Sequence, residues 1–79
     1  MSDRIAKSEE DVRRLAPIPG YYRLRGPRDE RGAVFFRNIR IDRLGRESSW
    51  WVLAINPGAT AGDDFALGME IVGPIPEPA

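Results

Sequence analysis

Cysteine and histidine are missing from this 79-residue chain, and lysine occurs once, at position 7. Without cysteine there are no disulfides, thiol nucleophiles or thiolate metal ligands. Without histidine there is no imidazole to act as a base or to ligate zinc or haem. Proton transfer would fall to arginine, tyrosine, serine and carboxylates, yet no nucleophile–base spacing and no phosphate-cradling glycine motif is present. The expectation is a non-catalytic chain with no cofactor and no metal. Long apolar runs are also lacking. The longest, Trp50 to Ile55, has six residues, against about 20 for a membrane-spanning helix. Met1 to Lys7 carry no apolar signal-peptide core. A soluble, cytoplasmic protein with no membrane contact is expected.

An excess of either charge is absent too. Twelve basic residues balance twelve acidic ones, which excludes a bulk polycation and the partners it would attract. The balance is uneven along the chain: residues 1–12 carry −2, residues 13–46 carry +7 and residues 47–79 carry −5. Arginine outnumbers lysine 11 to 1, and guanidinium suits planar stacking and bidentate pairing better than an ammonium does. A local cationic face therefore depends on whether the acidic last third folds over the arginine-rich middle.

The length fits one domain, and 42% hydrophobic content is enough to fold it. Residues 1–18 read as an N-terminal helix or mobile arm. Ile5, Val12 and Leu15 lie on one stripe, Ser8 and Asp11 form a weakened capping box, and Pro17 ends the run. Residues 19–73 read as a β domain and 74–79 as a proline-rich tail. Short strands are expected at 21–25, 33–42 and 48–55, with Gly45 supplying a positive φ between the second and third. Residues 28–32 and 59–64 read as loops. The alternation of Phe65, Leu67, Met69 and Ile71 marks a further strand at 65–72.

Strict alternation over 33–42 would bury Arg37 with no evident partner, so a β-bulge is expected at 37–38, placing Val34, Phe36, Ile39 and Ile41 in the core. The expected core comprises these four with Leu15, Ile18, Tyr22, Leu24, Trp51, Leu53, Ile55, Phe65, Leu67, Met69 and Ile71. The fold class is mainly β: a small antiparallel sheet or partly closed barrel of four to five strands, with a short N-terminal helix.

Three aromatic pairs, Tyr21-Tyr22, Phe35-Phe36 and Trp50-Trp51, stand in strands. Because successive strand residues point to opposite sides, each pair sends one ring inward and one outward. Tyr21, Phe35 and Trp50 are the expected outward anchors, surrounded by Arg23, Arg25, Arg37 and Arg40. Aromatic residues and arginine are enriched at protein interfaces. The expected function is a small non-catalytic protein-binding module, an accessory subunit, adaptor or inhibitor, whose partner is a larger protein or a second copy of the chain. The alternative is a single-stranded nucleic-acid-binding module using the same face. Asp63 and Asp64, with Glu70 near them in sequence, match no cation-binding spacing and read as turn residues.

Overall fold

The computed structural model describes residues 4–27 and 29–77; Arg28 and Pro78 lie outside this set. Helix α1 (Glu9–Leu15) precedes β1 (Gly20–Gly26), β2 (Asp29–Ile41), β3 (Glu47–Leu53), β4 (Thr60–Gly62), a 3₁₀ turn (Asp63–Ala66) and β5 (Glu70–Ile75). The strands form one antiparallel sheet in the order β4-β3-β2-β1-β5, which does not close into a barrel. No helix among the described residues is long and apolar enough to cross a membrane.

Local chemistry explains the element ends. Ser8 caps α1 by accepting the Asp11 amide at 3.2 Å, and the Asp11 carboxylate accepts the Lys7 amide at 3.0 Å. That second bond replaces the usual return bond to the cap residue itself. A seven-residue helix is unstable alone and depends on docking, which Val12 and Leu15 supply by entering the core.

The β2–β3 connection is built around Asp42. Its carboxylate accepts the Leu44 and Arg46 amides, each at 2.9 Å, and Arg46 Nε at 2.9 Å. Gly45 completes the turn at φ +79°. These donors, the Arg46 amide foremost, hold the Asp42 carboxyl below its ordinary value of 3.8. A carboxyl whose pKa is lower folded than unfolded favours the ordered loop when ionised, and that contribution is lost as pH falls through the folded value. The Leu44 and Arg46 amide NMR shifts are therefore expected to follow a single titration whose midpoint lies below 3.8. A midpoint above that value would contradict this account of the loop.

The β2–β3 ladder runs regularly from Phe35 opposite Leu53 to Ile41 opposite Glu47, so the bulge expected at 37–38 is absent. Alternation survives because Arg37 does have a partner. It is fully buried and forms an ion pair with Asp63. Irregularities occur elsewhere, between Leu24 and Gly26 against β2 and between Tyr21 and Arg23 against β5. At the second, Gly73 has φ +154°, and a Cβ there would lie 2.7 Å from the Tyr22 ring.

Partners across an antiparallel ladder share a face. The register places Tyr22, Leu24, Phe35, Arg37, Trp51 and Ile71 on the inner face, all buried. Ala6, Val12, Leu15, Ala16 and Ala66 complete the same core. Tyr22 packs edge-to-face on Trp51 at 5.8 Å and donates its hydroxyl to the Ile18 carbonyl at 2.9 Å. Burial pushes the Tyr22 phenol up from its ordinary value of 10.0.

Several expected core residues lie elsewhere. With no bulge, Val34 and Phe36 face outward and Phe35 inward. Ile55 is 91% exposed because β3 ends at Leu53 and the chain turns; Ile41 stands at the hairpin end and Ile18 precedes β1. The strand expected at 65–72 is instead a 3₁₀ turn followed by β5. The three-residue repeat of that turn sends Asp63 and Ala66 inward and leaves Phe65 at the surface against Phe35. Residues 60–62, expected in a loop, form β4, and 29–32, expected in another, open β2. β5 continues through Pro74 to Ile75, beyond the boundary drawn at residue 73. An edge strand tolerates the missing amide of proline.

Candidate functional site

Among the described residues, the inner face is packed under α1 and the 3₁₀ turn, whereas the side chains of the outer face are half-buried or exposed. Successive outward positions bring Tyr21, Arg23 and Arg25 on β1 beside Val34, Phe36, Asn38 and Arg40 on β2. Trp50 and Val52 on β3 stand opposite Asn38 and Phe36. On β5, Val72 lies opposite Arg23 and Ile75 opposite Tyr21. None of these residues is buried. Tyr21 and Phe36 meet edge-to-face with centroids 5.1 Å apart. The result is an apolar strip of three aromatic rings and four aliphatic side chains crossing β3, β2, β1 and β5. It continues into a hollow of about 300 Å³ lined by Arg23, Gly32, Val34, Leu53, Ala54 and Ile55.

The arginines divide between the two faces. Arg23 and Arg40 are exposed on the outer one. Arg23 donates to the Arg31 carbonyl at 3.1 Å, and Arg40 has no ion pair among the described residues. Arg25 is also on the outer face but is paired with Glu70. Arg37 is withdrawn into the core. Its two terminal nitrogens engage both Asp63 oxygens, and its guanidinium carbon lies 4.7 Å from the centre of the Trp51 ring. Ser49 donates to Asp63 at 2.7 Å, and Arg13 approaches it to 3.9 Å. The acidic third thus takes up Arg37 and Arg25 through Asp63 and Glu70 and leaves Arg23 and Arg40 to the outer face.

Of the residues expected in the site, Tyr21, Arg23, Arg25, Arg40 and Trp50 share this face. Phe35 and Arg37 do not: both point into the core because β2 alternates without a break. Phe36 takes the place given to Phe35. Of the missed contributors, Phe36 and Val34 are recovered by strict alternation once Arg37 is allowed a buried partner, Val52 and Val72 follow from the alternation of their own strands, and Ile75 reaches this face only through the irregularity opposite Tyr21 and Arg23.

Comparison of the chain with protein families, characterised proteins and solved structures finds no match. Among the described residues, no group of three or more acidic side chains is placed to hold a metal ion.

Proposed function

We propose that this chain is a small non-catalytic protein-binding module, an accessory subunit, adaptor or inhibitor, that docks a larger protein onto the outer sheet face. The observation that carries the proposal is the composition of that face: Tyr21, Phe36 and Trp50 set among valines, with Arg23 and Arg40 beside them. Aromatic rings and arginine dominate binding energy at protein interfaces, where an apolar centre is ringed by polar groups. The neighbouring hollow is shaped to seat one partner side chain. Arg25 and Glu70 neutralise each other, so the uncompensated charge of the face is positive. The matching partner surface is apolar with carboxylates at its rim. Two copies placed face to face would oppose like charges, which favours a different protein as the occupant.

The valines and the loss of Arg37 to the core weigh against single-stranded nucleic acid, which needs stacked rings along a continuous cationic groove. Tryptophan fluorescence is expected to be unchanged on titration with single-stranded oligonucleotides at low and at high salt. A steeply salt-dependent response would replace the protein-binding proposal with the nucleic-acid one.

The positive test is photo-crosslinking in lysate from positions 36 and 50, with position 10, exposed on α1 on the inner-face side, as a control off the face. Both face positions are expected to capture the same protein, with adducts mapping to an apolar segment flanked by carboxylates. Trp50→Ala is expected to weaken binding to that protein by about 30-fold or more, as for an interface hot spot, while the chain stays folded. Equal capture from position 10, or unchanged affinity in Trp50→Ala, would overturn the proposal.

A further inference from the structure

The outward edge of β5 is closed by the chain itself. Residues 4–6 run antiparallel to it: Ile71 donates to the Arg4 carbonyl at 2.8 Å, Ala6 to Met69 at 3.1 Å, and Gly68 to Ala6 at 2.7 Å. The Arg4 side chain adds to this cover. Its Nε donates to the Ile71 carbonyl at 2.5 Å and its Nη2 to the Gly73 carbonyl at 3.1 Å. One guanidinium thereby satisfies two successive outward carbonyls that an adjacent strand would otherwise bind. Nη2 also reaches toward the Leu15 carbonyl at 3.5 Å, tying the arm to the end of α1. A fork of N–H donors can bridge two such acceptors, which the compact ammonium of lysine cannot do with the same geometry.

We propose that the outer edge of β5 is a strand-acceptor site, that Arg4 holds residues 4–6 over it, and that a second copy of the chain takes the site when this latch is lost. A strand edge with unsatisfied amides and carbonyls is a template for another strand. Antiparallel pairing of β5 with β5 is self-complementary about a two-fold axis. With that axis perpendicular to the sheet, the two outer faces join on the same side. Val72 and Ile75, at the margin of each apolar strip, then meet across the new seam, so the second copy extends a surface already present. The inference is independent of the partner proposed above, because edge pairing leaves the outer face open.

The test compares the wild-type chain with Arg4→Ala and Arg4→Lys by amide hydrogen exchange and by light scattering across a concentration series. In dilute Arg4→Ala, the Ile71 amide is expected to lose at least ten-fold in protection while the β1–β2 ladder amides keep theirs, which shows within the same experiment that the domain is folded. As concentration rises, its mass is expected to climb from 8.9 kDa toward twice that value, with protection returning at Ile71. Arg4→Lys is expected to fall between the two. An Ile71 amide that stays protected in dilute Arg4→Ala would overturn the latch. An unprotected Ile71 in a chain that remains monomeric at the highest concentration would overturn the acceptor site.

Discussion

Asp63→Ala is expected to cost about 3–5 kcal/mol of stability, the range found when one partner of a buried ion pair is removed. A domain of this length holds roughly 4–12 kcal/mol in total, so the variant stands at the edge of unfolding. The reason is the state of Arg37. Its side chain is fully buried, both Asp63 oxygens lie on its terminal nitrogens, and its Nε has no acceptor among the described residues. Removing Asp63 leaves a buried cation with only the Trp51 ring as a partner among the described residues. Arg37→Met is expected to be milder, because Asp63 keeps the Ser49 hydroxyl and has Arg13 close by. The double variant Arg37→Met/Asp63→Ala is expected to recover a large part of the loss, since an apolar pair has no charge to desolvate. Chemical denaturation of the three variants measures the coupling. Single losses below about 1 kcal/mol that simply add would show that the pair is not a unit.

Trp51→Ala is expected to cost about 3–5 kcal/mol, as for other large aromatic truncations in cores. At about 4–8 °C per kcal/mol for a domain of this size, the melting temperature falls by well over ten degrees. Trp51 is fully buried, meets Tyr22 and Phe35 edge-on, and carries the Arg37 guanidinium over its ring. Its truncation therefore also strips Arg37 of its second contact. Trp51→Phe is expected to lose less than half as much, because it keeps an aromatic ring and removes an indole N–H that has no acceptor among the described residues. Trp50→Ala, one residue away on the outer face, is expected to leave the melting temperature within a few degrees. Equal losses at positions 50 and 51 would mean that the outer face is packed like the inner one.

How far the sequence led depends on which contacts were local. The capped helix, the Gly45 hairpin and the strands around Tyr21, Phe35 and Trp50 are legible because each rests on neighbours in the chain: a cap, a positive φ, a two-residue period. The division of each aromatic pair between two faces follows from that period alone. What could not be read was Arg37–Asp63, a contact spanning 26 residues. Treating a buried arginine as forbidden introduced a bulge, and the bulge exchanged Phe35 with Phe36 and moved Val34 inward. The same missing contact hid the 3₁₀ turn. The alternation of Phe65, Leu67, Met69 and Ile71 resembles a strand, but drawing Asp63 and Ala66 into the core breaks its first half. The outer face was found with five of its residues because alternation is robust, and blurred at two because one long-range ion pair set the phase of β2.

Hydroxyl-radical footprinting of the wild-type chain, read residue by residue, tests most directly whether this sheet has one packed face and one open face. Three adjacent pairs supply their own controls. Tyr21, Phe36 and Trp50 are expected to be modified several-fold faster than Tyr22, Phe35 and Trp51, after correction for intrinsic reactivity. Protection of all six rings would remove the docking face, and faster modification of Phe35 than of Phe36 would restore the bulge and place Arg37 at the surface.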